Sequence, residues 1–315
     1  MTPIPTNAAG KKRRAVLVTK ACKAGDEIFH EEAVVSVPTS TEGIICSYCL
    51  TSLPAEAEAA TQCEKCKTEH YCGSACETKA KDEYHTVLCS ESQAGRALEE
   101  YCAEKRTVIP LLVGRFLMKM VKEENKKKEG KTKGPGKYSD WDHLERLFDL
   151  PRKPTEEATA EADQEVKLLK AAIAPHVPGF EDFLTTDRYA SIKGKLTYNS
   201  FGITSSNPSA MTTVHLVDTP RGPTVPVAIG HYRTAPLIAH NCTPSATMTH
   251  KGDTTSIIAA KDLEAGDEVT LDWASVAEMD TSARRKILKE RFAFFCRCET
   301  CAPTSANSVV ENVAA

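Results

Sequence analysis

The chain's densest chemistry lies between residues 46 and 89. It reads Cys46-x2-Cys49, Cys63-x2-Cys66, Cys72-x3-Cys76 and His85-x3-Cys89, eight side chains able to hold a metal. Zinc takes four nitrogen or sulfur ligands at the corners of a tetrahedron, and a pair on a tight turn supplies two. Eight ligands therefore make two closed sites. With alternate pairs sharing a metal, one zinc falls to Cys46, Cys49, Cys72 and Cys76, the other to Cys63, Cys66, His85 and Cys89. Neither leaves a position for water or substrate, so both read as structural. A block this small has little core and is expected to fold only with its metal.

A second constellation, Cys296-x-Cys298-x2-Cys301, offers three ligands and needs a fourth from elsewhere. Cys22, Cys102 and Cys242 are the candidates. Cys242, in the polar loop AHNCTPSA, stands out. A Cys242, Cys296, Cys298 and Cys301 zinc would staple the chain end to the segment around 240. Cys22 and Cys102 then remain ordinary thiols.

Composition narrows the class. The 315 residues are 41% apolar and 26% charged, as in a globular protein. The N-terminus MTPIPTNAAGKKRR is basic with no apolar run behind it, so it does not read as a secretory signal. Without one, the 13 cysteines are expected reduced, and clustered pairs point to metal rather than disulfides. No run is long and apolar enough for a membrane span. These features place the chain in the cytoplasm, the nucleus or both. A net charge of −3 argues against binding nucleic acid by bulk electrostatics.

The elements that must position these ligands follow from pattern. Residues 1–14 form a basic tail. Residues 15–40 read as strands, AVLVT and EIFHEEAVVSVP about a turn at KAGD. The pattern returns as SIIAA, a turn at EAGD, and EVTLDW at 268–273. After the cysteine block comes a helical insert, 90–195. Pro110 opens a helix whose face carries Leu112, Phe116 and Met120. Residues 122–137, rich in Lys, Gly and Pro, read as a solvated loop. Helices follow at 141–150 and 156–174, stopped by Pro151 and Pro175. Residues 196–281 read as short strands, LTYNSFGI, TTVHLVD and TVPVAIG among them. A helix at 282–292 leads to the last cysteines and a tail, 302–315. The fold class is α+β.

These pieces resemble a known family. The 46–89 block, with its HYC and YHTVLC, is similar to a MYND zinc finger. AVLVTKACKAGDEIFHEEAVV resembles the N-terminal segment of a SET domain, YNSFGI its NSFxI strand, AHNCTPSA its NHSCxPN, GDEVTLDW its GEELTFDY, and FAFFCRCETC the post-SET FxCxCxxC. The likeness covers about residues 13–301. The chain is identified as resembling the SET and MYND domain protein-lysine methyltransferases, as a short member without their helical C-terminal domain. The implied domains are a SET segment at 15–45, the finger at 46–89, the helical insert, the SET core at 196–281 and a post-SET helix and zinc loop at 282–301.

The resemblance implies methyl transfer from S-adenosylmethionine to a lysine ε-amine, with three zinc ions. Asn199 and His240 match residues that hold the cofactor. Phe294 matches an aromatic that packs on the adenine. The family's glycine-rich cofactor turn falls on Arg13, Arg14 and Ala15. The asparagine of NHSC is Ala239, and the asparagine after CxP is Ser245. The tyrosine that ends GEELTFDY, which borders the transfer channel, is Trp273. Tyr198 and Tyr232 are the nearby phenols that could replace it. The implied partner is a protein carrying the lysine, histone or not. In the family the finger takes proline-containing peptides, and Tyr48, His70 and Tyr71 are candidate groove residues. The alternative function is an inactive SET scaffold that acts through its finger as an interaction module.

Overall fold

The computed structural model describes residues 15–39, 45–53, 60–130, 138–149, 155–203 and 226–302. Arg13 and Arg14, the expected strand TTVHLVD and most of the basic and C-terminal tails lie outside them.

Two turns of one chemistry frame the SET part. The Asp26 N–H donates to the Lys23 carbonyl at 3.0 Å and the Lys23 N–H to the Asp26 carboxylate at 2.8 Å. In the EAGD turn, Asp267 and Glu264 exchange the same bonds at 3.0 and 2.9 Å. Gly25 and Gly266 sit at φ 93° and 97°, where a side chain would be strained. The turns lie side by side, because Cys22 and Leu263 exchange both backbone bonds at 2.9 Å.

From the first turn runs β1 (Glu27–Glu32), followed by β2 (Val35–Pro38). The finger carries a short hairpin, β3 (Thr61–Gln62) and β4 (His70–Tyr71). The core adds β5 (Ser200–Ile203), β6 (Ala228–His231), β7 (Ala239–His240), β8 (Ala246–Lys251), β9 (Thr254–Ala259) and β10 (Thr270–Leu271). One antiparallel sheet has the order β1-β9-β8 and a second β2-β6-β5. β7 and β10 pair in parallel, Ala239 beside Thr270 and His240 beside Leu271. The expected strand AVLVT is reduced to one bridge, Leu17 to Glu268.

The finger contributes α1 (Ser74–Ala80), a π-helical turn (Lys81–His85) and α2 (Thr86–Leu88). The insert is α3 (Gln93–Lys105), α4 (Ile109–Lys128), α5 (Asp140–Glu145), α6 (Glu156–Ile173), α7 (Phe180–Phe183) and α8 (Thr186–Asn199), and α9 (Thr281–Phe292) is the last helix among the described residues. Caps fix their starts: Thr155 accepts from Ala158 N–H at α6, and Asp280 from Ala283 N–H at α9. Pro110 stands in the first turn of α4, and Leu112 and Phe116 are buried beneath it.

Two further expectations are corrected. The Lys-rich stretch at 122–137 is not a loop throughout, since α4 runs helical to Lys128. Lys, Glu and Asn carry no helix breaker, and Lys127 pairs with Glu124 one turn back at 2.5 Å. The segment LTYN is not strand: α8 continues to Asn199, because Tyr189, Ile192 and Leu196 bury one helical face. Packing overrides the strand preference of Thr and Tyr here.

The largest buried cluster joins finger to insert. Cys46, Cys63 and Tyr71 pack in one core with Leu98, Leu112, Phe116 and Leu196. The finger is thus built into the insert. A separate cluster holds Tyr198, Cys242, Phe292, Cys296 and Cys301, with Trp273 and Phe294 against it.

Candidate metal centres and active site

All three sets of four assemble. Cys46, Cys49, Cys72 and Cys76 offer ligand atoms within 4.8 Å of one another, as do Cys63, Cys66, His85 and Cys89, and Cys242, Cys296, Cys298 and Cys301. Sulfurs bound to one tetrahedral zinc at ~2.3 Å lie about 3.8 Å apart. The contacts found are 3.7 Å for Cys49 and Cys72, and 3.8 and 3.6 Å from Cys242 to Cys296 and Cys301. No disulfide forms, and all thirteen cysteines are free thiols.

Local structure explains how the pairs converge. After each knuckle of the finger the backbone turns left-handed, at Leu50 (φ 59°) and Lys67 (φ 62°). There the Leu50 N–H donates to Cys46 O and the Lys67 N–H to Cys63 O, which folds each Cys pair onto one side. Cys76 rides the first turn of α1, and the wider π turn delivers His85 inward. At the third set, α9 holds the loop: Arg285 donates to Cys301 O at 2.5 Å and Arg284 to Thr300 O at 3.3 Å.

The electrostatics fit a cation. The Cys46 thiol and Thr51 hold Cys49 down at about 4. Cys298 sits at about 6: burial opposes its charge, but the Cys242 backbone and the Cys296 thiol prevail. His85 is pushed up to about 9; burial opposes it, and the Cys66 sulfur and Glu69 carboxylate outweigh burial. Cys49 and Cys298 therefore ionise readily to ligating thiolates, and the surroundings of His85 favour positive charge. Sets of four cysteines, or of three cysteines and a histidine, suit zinc.

Beside the third set stands an aromatic wall. Trp273 meets Phe292, Phe294 and His240 with ring centroids 5.2, 5.7 and 5.9 Å away. The Trp273 backbone N–H donates to His240 Nδ1 at 3.2 Å, and its indole N–H to Ile238 O at 3.1 Å. With Nδ1 accepting, the proton sits on His240 Nε2, which donates to the Cys242 sulfur at 3.3 Å. The His240 ring is thus a strut between a metal ligand and Trp273, with both nitrogens engaged.

The structure places the other candidates as follows. Asn199 is buried at the end of α8, its amide donating to Phe148 O and Lys195 O at 2.8 Å each. The Tyr198 hydroxyl donates to Phe292 O at 3.3 Å and so turns to α9. Ala239 and Phe294 are half-buried on the wall beside His240. Ser245, where the motif has asparagine, still locks its loop: its N–H donates to Thr270 Oγ1 and its hydroxyl to Glu268 O, at 2.9 and 3.0 Å. Of the groove candidates, Tyr71 is fully buried with its hydroxyl on Glu69, so it meets no peptide. Tyr48 is half-buried with Lys79 over its ring at 5.7 Å, and His70 is half-buried on Gln62.

A cleft of about 260 Å³ opens against Trp273, lined also by Phe201, Ala246, Met248, His250 and Asp272. Trp273 is common to the cleft and the wall, whereas Asn199, Ala239, His240 and Phe294 do not line the cleft. Ala246, Met248 and His250 alternate along β8 and so share one face. His250 was not evident from sequence, for a lone histidine in a polar strand carries no signal.

A finger of two interleaved zinc sites, set between the strands of a SET-type core and a cysteine loop that closes on Cys242, defines a SET-fold protein split by a MYND finger. No protein-family model matches the chain. A SET and MYND domain-containing protein of Dictyostelium discoideum is 30% identical over 281 residues, 87% of this chain and 76% of that one. Human histone-lysine N-methyltransferase SMYD3 is 21% identical over 299 residues, 93% of this chain; the chain spans 60% of SMYD3's length. A crystal structure of the SET domain of LSMT bound to lysine and AdoHcy aligns with TM-score 0.39 and 12% identity, over 94% of this chain and 53% of that one. The chain belongs to the SET and MYND domain family.

Proposed function

We propose that the chain is a protein-lysine methyltransferase that uses S-adenosylmethionine and acts on a protein substrate, histone or other, in the cytoplasm or nucleus. The observation that carries this reading is the parallel pairing of β7 with β10. It sets His240 beside Trp273 and places the aromatic wall against a zinc-stapled loop, with a cleft on Trp273. When bound, S-adenosylmethionine supplies an activated methyl group. Ala239, His240 and Phe294 would flank it, and Asn199 would support the α8 end beneath. The protein's part is to align the amine and exclude water, which supply much of the rate in such a displacement. The half-buried indole of Trp273 is suited to exclude water but carries no phenol to orient the amine.

That last observation favours a second reading: a scaffold in which catalysis is lost and the finger recruits proline-containing peptides through Tyr48 and His70. Calorimetry with S-adenosylmethionine, and transfer of a labelled methyl group to total histones and cell extract, decide between the readings. Parent and Trp273→Tyr are to be compared. The enzyme reading expects binding by both and transfer by the parent; transfer by the variant alone means that Trp273 blocks the lysine channel of the parent. Binding without transfer by either supports the scaffold, and no binding by either overturns the first reading.

A further inference from the structure

Glu69 precedes β4 and has no counterpart among the zinc ligands, yet it collects four contacts. Its Oε1 accepts from Arg115 Nη2 at 2.5 Å. Its Oε2 accepts from the Tyr71 and Tyr84 hydroxyls at 2.8 and 3.2 Å and lies 3.5 Å from His85 Nδ1. The other nitrogen of that ring, Nε2, is 3.7 Å from the Cys66 sulfur and is the one placed to bind metal. A carboxylate on the far nitrogen of a ligating histidine fixes its tautomer and ring orientation.

Arg115 carries the link onward. It stands on α4, almost fully buried, with its guanidinium 4.1 Å from the centre of the Tyr84 ring. Nη1 donates at 2.9 Å to two carbonyls: Ser47, inside the first knuckle, and Ser36, in the middle of β2. β2 is an outer strand of the sheet whose other outer strand, β5, carries Phe201 to the cleft. One guanidinium thus joins the finger's two metal sites to the SET sheet.

We infer that Glu69 is a positioning residue for the zinc at Cys63, Cys66, His85 and Cys89, and that Arg115 couples the loading of that site to strand β2. Glu69 holds the His85 ring toward the metal and is itself aimed by Arg115. Losing the metal frees His85, loosens Glu69 and leaves the Arg115 fork, still on Ser47 and Ser36, without a firm anchor at its other end.

The test is zinc withdrawal from the full chain by a graded chelator, read by cysteine alkylation mapped to each site and by amide exchange along the chain. In Glu69→Gln, Cys63, Cys66 and Cys89 are expected to become reactive at chelator levels lower by on the order of 10- to 100-fold. The other two sets should shift less than threefold. Cobalt substitution adds a spectral check: the band of the site that includes His85 should change in Glu69→Gln, and the bands of the two all-cysteine sites should not. Glu69→Asp keeps the charge but draws it back from His85. It gives an intermediate shift, and serves if the glutamine variant does not fold. In the parent, exchange at residues 34–38 should rise with alkylation of Cys63, and in Arg115→Lys the two should separate. Release in both Glu69 variants within twofold of the parent, or an equal shift at all three sites, overturns the positioning role. Exchange at 34–38 that ignores zinc loss overturns the coupling.

Discussion

His240 and Trp273 hold each other in place. The backbone N–H of Trp273 ends on His240 Nδ1 at 3.2 Å, and the two rings lie 5.9 Å apart. Since His240 also reaches the Cys242 sulfur, the third metal set and the aromatic wall form one unit. Removing the imidazole should disturb both ends. His240→Ala is expected to let the third site give up zinc on the order of tenfold more readily. It should lower the melting temperature by a few degrees, since a loss of about 1 kcal/mol shifts a domain by that amount. The finger sites should stay unchanged. Chelator titration with alkylation of Cys242, Cys296 and Cys298 reads the first effect, and calorimetry the second.

Metal content follows from the same geometry. Native mass spectrometry of the parent should find three zinc ions, one for each set of four. Cys242→Ser should bring the count to two. Cys242 is the only ligand of its set from outside the 296–301 loop, so the loop loses its anchor. Protease sensitivity should then rise after α9 and not within the finger. A count that stays at three would show that another group supplies the fourth ligand.

What was legible in the sequence was what acts locally. Cys pairs two or three residues apart declare themselves, and the KAGD and EAGD turns carry their own closing carboxylate. Cys242 could be assigned because three ligands demand a fourth. The missed features depend on distant partners. Arg115 and Glu69 stand 46 positions apart on different elements, and nothing in either neighbourhood announces the pair. The end of α8 misled because Thr and Tyr favour strands, yet Leu196 and Ile192 needed a helical face to reach the insert core. The motif around His240 points to the cofactor, and nothing in it announces that the side chain also braces the metal loop and Trp273.

His250 makes stability depend on pH in a direction that can be worked out. Burial lowers its pKa from 6.5 to about 4. Its ring stacks on Tyr232, whose hydroxyl lies 3.4 Å from Nδ1, and Asp272 is the carboxylate on the same cleft. The folded-state value is depressed, so the unfolded chain takes up the proton first as pH falls. Stability is therefore whole above about 6.5 and declines toward 4. Between pH 7.5 and 5.5 the loss should be about 1 kcal/mol. His250→Gln should remove that portion and leave the portion due to zinc release. Urea midpoints for both proteins at the two pH values measure the difference. Parallel slopes would mean that His250 titrates normally.

Gly252 tests how the SET part seats on the finger. It forms the turn between β8 and β9 at φ 63°, where a side chain is strained. A Cβ there would stand 2.5 Å from the carbonyl of Cys49, a backbone atom that cannot swing aside. The same carbonyl accepts the Asp253 N–H at 2.9 Å, so the hairpin tip is hydrogen-bonded to the first knuckle. Gly252→Ala must therefore push the hairpin off the finger. Strain and the lost bond together should cost about 2 kcal/mol or more. A melting temperature lower by several degrees is expected, with faster exchange at the Asp253 amide and easier zinc loss from Cys49 and Cys72. Gly25→Ala meets a positive φ of 93° but no atom within 4 Å, so it separates strain from displacement. It should lower stability without loosening the first zinc. If both substitutions lower stability equally and neither affects the first zinc, the hairpin does not brace the knuckle.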